Sequence, residues 1–301
     1  IMPINTGSFG AALQVGVNKW YGDAYQEFKT EYTEIFTTHK SRKNFEEDIS
    51  VSMFGLAIQK AEGSPVSYDT AQQGFKDRYT HAVYALGFQI TKEMVEDDLY
   101  DVIGKKRASA LAQSMRQTKE INGANILNRA QTAAYTYGDG VVLLSTAHPN
   151  VAGGTFSNRL TTAADISEVA LEQACIDIGK YTGDRGFAIS VTPQKLIIPV
   201  DLQFSVEKIL KTEYEVGTAA NTKNVVRHRF ADGMTVNHYL TDVDAWFIKT
   251  NVQDGMKYFE RRADDFKMED DFDTDNAKFK ATGRYSFGVS DKKSIYGSLG
   301  A

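Results

Sequence analysis

Apolar residues recur at near-helical spacing from Thr91 to Ala134, the longest periodic stretch of the chain. This stretch contains no proline, and acidic residues follow Thr91, as is typical of a helix N-terminus. The pattern predicts an amphipathic helix of about 40 residues, roughly 60 Å long at 1.5 Å per residue. Gly104 and Gly123 leave a second interpretation open, in which two shorter helices meet at one of these glycines.

An aromatic-rich segment precedes this helix. Between Trp20 and Phe36, aromatic and aliphatic side chains fall close to i, i+4, i+7 spacing, which predicts a helix with a broad apolar stripe. Such a stripe would be core in a compact domain. On an arm that leaves its own subunit it would be an interface, because aromatic anchors dominate binding surfaces.

Between Phe45 and Thr91 the spacing of apolar residues shortens towards every second residue, as in a β-strand. We predict one strand around Ile49–Lys60 and a second around Phe75–Ile90, joined through a segment rich in turn-forming residues. These strands would form a long antiparallel hairpin. Because a two-stranded ribbon is only marginally stable in water, the hairpin must lie on another part of its chain or on a neighbour.

The chain beyond the long helix mixes short strands and helices. We predict a helix over Thr162–Gly179, capped by its first residue or by Asp165, and a buried strand over Lys195–Val200 followed by a helix from near Asp201. Two further strands are expected to join through Ala231–Gly233, and the remaining residues alternate strongly enough for three or more strands. The pattern as a whole predicts the α+β class.

Composition narrows the class of protein. The 301 residues are 42% hydrophobic and 24% charged, and no run of about 18 apolar residues predicts a transmembrane span. The first residues lack the basic and apolar blocks of a secretory signal, and Cys175 is the only cysteine, so we expect a reducing compartment. A net charge of −5 argues against a dedicated nucleic-acid binder, so any contact with DNA is expected to be weak.

Candidate chemistry is sparse. Cys175 falls on the apolar side of a predicted helix, which favours a buried structural thiol, and no second acid or base is tied by spacing to His148. The acidic segment from Asp270 lacks the glycine and glutamate of a calcium loop, and no phosphate-binding or zinc motif occurs. We therefore predict no catalytic residue, no cofactor and no metal site.

The order of these parts resembles that of a known family. An arm, a long hairpin, a long helix, a mixed domain and an acidic strand region follow one another, as in the major capsid proteins of tailed bacteriophages, which have the Hong Kong 97-type fold. Within that superfamily the chain is most similar to the Mu-like major head subunits. The resemblance is carried by Leu143–Leu160, Pro193–Leu210, Asp242–Thr250 and Gly283–Ser298.

The resemblance implies a layout for the whole chain. It comprises an N-terminal arm (1–45), an extended loop or β-hairpin (46–91), a peripheral domain with a spine helix (92–164), an axial domain (165–250), peripheral-domain strands (251–290) and a return to the axial domain (291–301). In that layout the extended loop lies over a neighbouring subunit.

The resemblance also implies a function. The chain would be a non-enzymatic subunit of an icosahedral phage head, located in the virion capsid and assembled in the host bacterial cytoplasm. It would form hexamers and pentamers around double-stranded DNA, with weak non-specific DNA contact and no membrane. Its partners would be other copies, a portal, a separate scaffold protein, since the arm is short, and optionally a decoration or cement protein.

We expect the contacts between subunits to come from the arm and the hairpin. The predicted interface residues are Trp20, Tyr25, Phe28 and Tyr32 in the arm, and Lys60, Glu62, Pro65, Tyr68 and Arg78 in the hairpin. Lys60 is also the only obvious lysine for a covalent lysine–asparagine crosslink, although nothing in the sequence marks an acceptor.

Two other functions compete with the phage head. One is an encapsulin-like shell of the same fold that encloses enzyme cargo, which an amphipathic N-terminal helix packed inside its own subunit would favour. The other is an enzyme that uses Cys175 or His148.

Overall fold

The computed structural model describes residues 19–25, 29–91, 93–94, 100–214, 223–253, 255–270 and 276–301, apart from the side chains of residues 100–103 and 270. Its helices are α1 (Tyr32–Ile35), α2 (Tyr100–Asn128), α3 (Glu168–Gly179) and α4 (Gln203–Lys211), with helical residues also at 19–25 and 93–94 and 3-10 turns at Val200–Leu202 and Lys292–Ser294. Its strands are β1 (Thr37–Lys40), β2 (Phe45–Val51), β3 (Gln73–Thr80), β4 (Ala82–Ile90), β5 (His148–Pro149), β6 (Thr155–Phe156), β7 (Pro193–Ile198), β8 (Met234–Val236), β9 (Trp246–Thr250), β10 (Met256–Asp270), β11 (Ala277–Val289) and β12 (Ile295–Ser298).

Two four-stranded sheets organise these elements. The large sheet has the order β1-β10-β11-β4 and the small sheet the order β12-β9-β7-β8, while β2 and β3 form a separate hairpin. The predicted α+β class is confirmed. The last strand, β12, returns from the large sheet to pair with β9 of the small sheet.

Helix α2, here called the spine helix, runs unbroken through Gly104 and Gly123. The single-helix interpretation is therefore confirmed over Tyr100–Asn128. The predicted end at Ala134 is wrong, because the chain turns after Asn128 and the Ala130 carbonyl accepts the Leu144 N–H at 2.8 Å.

The predicted start of this helix lies partly outside the described residues. Thr91 Oγ1 accepts a hydrogen bond from the Met94 N–H at 3.4 Å, as an N-cap would, and residues 93–94 are helical. Residues 95–99 are not among those described.

The hairpin is shorter than its sequence pattern predicts. Antiparallel pairing joins Phe45–Val51 to Gln73–Thr80, so the predicted first strand over Ile49–Lys60 is wrong beyond Val51. The predicted second strand over Phe75–Ile90 divides at His81. This buried ring lies 2.9 Å from Ser286 Oγ and 3.1 Å from Ser41 Oγ, and the chain beyond it pairs with β11 instead.

Two predictions in the small-sheet region are also wrong. Ser167 caps α3, its Oγ accepting from the Ala170 N–H at 3.2 Å, whereas Asp165 accepts from the C-terminal Ala301 N–H. No hairpin forms around Ala231–Gly233, because residues 225–230 are turns and bends rather than a strand, with only Val226 and Phe230 buried in the core, and β8 pairs with β7 instead. Strand β8 runs parallel to β7.

The core is continuous between the two sheets. One face of the small sheet packs under α3 and α4. Its other face carries Ile197, Phe247 and Ile295, which share a cluster with Leu127 at the end of the spine helix and Tyr285 of the large sheet. The two sheets are therefore held together by apolar packing, the main favourable contribution to folding.

Buried charges fix the N-terminal helical segment to the spine helix. Lys119 Nζ lies 2.9 Å from Asp264 Oδ2, and both side chains are 5% exposed. The Tyr25 hydroxyl donates to the same carboxylate oxygen at 2.5 Å and accepts from Lys119 at 2.9 Å. Burial, followed by the charge of Asp264, raises the pKa of Tyr25, so this phenol stays protonated as a donor.

Asp264→Asn should destabilise the unassembled subunit by about 3 kcal/mol, because the buried Lys119 ammonium loses its counter-charge. Urea denaturation measures the loss. The matched control is Glu269→Gln, since Glu269 is exposed and 3.8 Å from Lys280, and should cost less than about 0.5 kcal/mol. Equal losses for the two variants would contradict this role.

Glu34 connects α1 to the small sheet. Its carboxylate lies 2.6 Å from Lys195 Nζ and 2.8 Å from Lys29 Nζ. Hydrogen bonds from Lys195 and Lys29 lower the pKa of Glu34 from about 4.5 to about 2. The ionised carboxylate therefore stabilises the fold above pH 4.5, and this contribution is lost as the pH falls towards 2.

Glu34→Gln should reduce the free energy of unfolding by about 1 kcal/mol at pH 7, the range of a partly exposed ion pair. Below pH 4.5 the difference from the unsubstituted chain should narrow steadily, because Glu34 itself becomes neutral. Urea titrations at a series of pH values measure this. A difference that stays constant down to pH 3 would exclude the ion pair as its cause.

Candidate assembly surface

An apolar extension projects from the hairpin. Residues 52–72 connect β2 to β3 and lie outside any helix or strand. The chain reverses at Ala61–Ser64, where the Ser64 N–H donates to the Ala61 carbonyl at 3.1 Å and Gly63 has a φ of +78°. This extension exposes large apolar side chains on both of its limbs, namely Met53, Phe54, Leu56, Ile58, Val66 and Tyr68.

The base of the hairpin is held to the body by a buried ion pair. Asp77 on β3 lies 2.5 Å from Lys292 Nζ, and both side chains are almost fully buried. The second carboxylate oxygen of Asp77 accepts the Gly138 N–H at 2.7 Å. One carboxylate thus ties the hairpin to the C-terminal 3-10 turn and to the segment after the spine helix.

A second cluster holds the other strand of the hairpin. Asp48 on β2 pairs with Lys257 and accepts from the Ser290 hydroxyl at 2.6 Å, and Ser290 also contacts the Tyr79 hydroxyl. Burial alone would raise the pKa of Asp48, but the hydrogen bonds from Lys257 and Ser290 outweigh it and lower the pKa. The carboxylate is therefore ionised at neutral pH, and both strands of the hairpin are fixed at their base.

The extension also contacts the small-sheet region of its own chain. Arg185 lies 2.6 Å from Asp69 and donates to the Thr70 carbonyl at 2.8 Å. Met53 lies against Gly183, where an added Cβ would come 2.8 Å from the methionine sulfur. Both limbs are thus held near their base while the residues between them remain exposed.

The structure separates the predicted interface residues into two groups. The arm residues pack on their own subunit: Trp20 against the cluster of Ile90 and Phe279, and Tyr32 against the rings of Tyr258 and Phe287. Tyr25 takes part in the buried cluster with Lys119 described above. Phe28 lies outside the described residues.

The hairpin residues are exposed. Lys60, Glu62 and Pro65 surround the reversal of the chain, and Tyr68 is 93% exposed. The Arg78 guanidinium lies over the Phe45 ring at 3.9 Å, at the base of the hairpin. Their contact with a second subunit stays a prediction.

The most apolar part of this surface is not among the predicted interface residues. Phe54, Leu56 and Ile58 fall within the predicted first strand, although their exposed fractions are all above 65%. The signal was available, because these side chains alternate with small or polar residues. Alternation predicts one apolar side but does not tell whether the same chain covers it.

The surroundings of Cys175 and His148, the two candidate enzyme residues, indicate structural roles. Burial raises the pKa of the Cys175 thiol, which opposes formation of a nucleophilic thiolate. His148 is fully buried, with Nδ1 2.7 Å from Asp139 and Nε2 3.2 Å from both the Leu143 carbonyl and Asn158 Oδ1. Its ring therefore holds a loop together.

Two further structural features are absent from the described residues. They contain no group of three or more His, Cys, Asp or Glu side chains placed to hold a metal ion. None of their helices is long and apolar enough to cross a membrane.

The sequence matches the model of a known protein family. The model of the phage capsid protein family matches residues 76–298, about three quarters of the sequence. The chain belongs to the phage capsid protein family. No curated protein sequence matches it significantly.

Solved structures agree with this family of capsid proteins. The virus-like particle from Pyrococcus furiosus is 12% identical with a TM-score of 0.54, covering 94% of this chain and 98% of that chain. A chain from the procapsid of bacteriophage JBD30 is 16% identical with a TM-score of 0.54, covering 99% of this chain and 76% of that chain. A chain from Mycobacterium phage Che8 is 11% identical with a TM-score of 0.54, covering 92% of this chain and 94% of that chain.

These likenesses confirm the expected Hong Kong 97-type capsid fold. At such low identities they show the fold alone. The narrower resemblance to Mu-like head subunits stays a prediction.

The anchoring of the hairpin in this capsid protein can be tested by Asp77→Asn. Loss of the charge partner of Lys292 should lower the free energy of opening the hairpin by about 3 kcal/mol, which corresponds to roughly 100-fold faster cleavage within the paired strands, residues 45–51 and 73–80. Limited proteolysis of the unassembled subunit measures the rate. Unchanged cleavage in the hairpin would show that the ion pair does not anchor it.

Proposed function

We propose that this capsid protein is the major structural subunit of a phage head and assembles into hexamers and pentamers around double-stranded DNA. The observation that carries the proposal is the apolar extension of residues 52–72 on a chain of the phage capsid protein family. Assembly, rather than chemistry, is the activity that such a surface supports.

The extension suits a contact between different surfaces of two copies. Exposed apolar surface of this kind marks an interaction site, and the base of the hairpin is fixed to its own subunit by one buried ion pair and by a second, partly buried set of polar contacts. A projecting element that binds a different part of the next copy generates a ring when the rotation closes. Each such interface would bury on the order of 1,600 Å².

The proposed layout follows the resemblance. The large sheet and the spine helix correspond to the peripheral domain, the small sheet with α3 and α4 to the axial domain, and residues 46–91 to the extended loop. Pairing of β12 with β9 supports the return of residues 291–301 to the axial domain.

The proposed partners are other copies first. A scaffold protein, a portal and optionally a decoration protein would join during assembly in the host bacterial cytoplasm, and the finished subunit would reside in the virion capsid. Contact with packaged DNA would be weak and non-specific, because the chain carries a net charge of −5. The role would be structural and non-enzymatic.

One observation favours a second candidate, an encapsulin-like shell with enzyme cargo. The helical residues 19–25 pack inside their own subunit, with Tyr21 stacked on Phe266 at 4.7 Å. That packing is the feature expected of the encapsulin-like alternative. The family match favours the phage head, and the contents of purified particles distinguish the two: DNA for a head, a protein for a compartment.

The triple variant Phe54→Ser, Leu56→Ser, Tyr68→Ser should fold normally and fail to assemble. These side chains are exposed in the subunit, so circular dichroism should be unchanged, while the loss of their burial removes the attraction between copies. Electron microscopy and sedimentation velocity measure particle yield. Val243→Ser removes an exposed apolar side chain elsewhere and serves as the control.

Particles should form from the unsubstituted chain and from the control, and be reduced at least tenfold in the triple variant. A discrete monomer from the unsubstituted chain in every condition would overturn the shell function. Normal particles from the triple variant would overturn the role of the extension.

A further inference from the structure

An apolar groove lies between α3 and the segment of residues 225–229. Cys175 and Ile176 line it from the helix, and Val225 and Val226 from the facing segment. Ile176 is 49% exposed and Val225 is 59% exposed, so the groove presents apolar surface to its surroundings. Two charged side chains, Glu172 and Arg229, also line it.

The first limb of the extension, which precedes the reversal at Ala61–Ser64, carries side chains that match this groove. Alternate residues of an extended chain share one side, about 6.6 Å apart. On this limb the even-numbered positions before the reversal at Ala61–Ser64 are Phe54, Leu56, Ile58 and Lys60, which is an apolar run followed by a base. The groove offers an apolar floor, an acid and a base.

We propose that Phe54, Leu56 and Ile58 of one copy occupy this groove on a second copy. Lys60, which ends this run, then lies close to Glu172. The inference rests on the proposed self-assembly and names the surface that receives the extension. The contact joins different surfaces of the two copies, as a closed ring requires.

The apolar run from Phe54 to Ile58 is not buried by its own chain. Met53 and Asp69 are held beside Gly183 and Arg185 of the same subunit, yet the side chains from Phe54 to Ile58 remain exposed there. Both limbs are therefore held at their base, and the apolar run beyond Met53 is left for another copy.

The sole cysteine of the chain provides a direct probe of the groove. Cys175 is partly exposed in the subunit, so a small maleimide should label it at a measurable rate. In intact particles the labelling should be at least tenfold slower than in subunits dissociated from the same particles. Equal rates in particles and subunits would overturn the groove as an interface while leaving the shell function intact.

Charge reversal tests which segment occupies the groove. Lys60→Glu should reduce particle yield at least tenfold, because it places two acids together, and adding Glu172→Lys should restore the yield. Lys105→Glu, on an exposed position of the spine helix, is the matched control and should assemble normally.

Two results would overturn the assignment of the extension to the groove. One is normal assembly of Lys60→Glu. The other is loss of assembly that Glu172→Lys does not restore, even if Cys175 is protected, because a different surface or partner then covers the groove. Failure of the unsubstituted chain to form particles would instead contradict the proposed function.

Discussion

The apolar side chains between Met53 and Tyr68 cannot be buried by the chain that carries them. The limbs that bear them are fixed at their base to the small-sheet region, and the side chains between remain exposed. Full burial of a leucine- or phenylalanine-sized side chain is worth about 1.5–3 kcal/mol. That free energy is gained only when a second surface covers the extension. The exposed side chains of one subunit therefore favour its association with another.

A rigid base makes this arrangement useful. Association costs translational and rotational entropy, and each contact contributes only what remains after that cost and the cost of ordering loops. Asp77 with Lys292, and Asp48 with Lys257 and Ser290, fix both strands of the hairpin to the body before any partner arrives. Behind them, the unbroken spine helix and the buried pair of Lys119 with Asp264 hold the large sheet and the N-terminal segment in one unit. The extension is therefore presented in a defined direction, which repeated contacts in a shell require.

Sequence periodicity predicted the elements that bury one regular face. The spine helix, the α3 region, the strand at Lys195 and the three C-terminal strands all followed from patterns of apolar residues. Predictions failed where partners distant in sequence decide the outcome. The split at His81 depends on Ser41 and Ser286, and the position of β8 depends on parallel pairing with β7 rather than on pairing with β9, the next strand in sequence. The sequence pattern of the arm aromatics fits either core or interface, and we predict an interface. The described ones pack on their own subunit, and only their contacts with distant elements such as the spine helix and β10 reveal this.

Hydrogen exchange of residues 52–72 tests the central claim most directly, because it compares the same backbone before and after assembly. In dissociated subunits this segment should exchange rapidly, while β10 and β11, which are paired in both states, serve as the internal reference. In intact particles the account predicts that residues 53–58 exchange at least tenfold more slowly and that β10 and β11 change little. Equal exchange of residues 53–58 in particles and in subunits would contradict it.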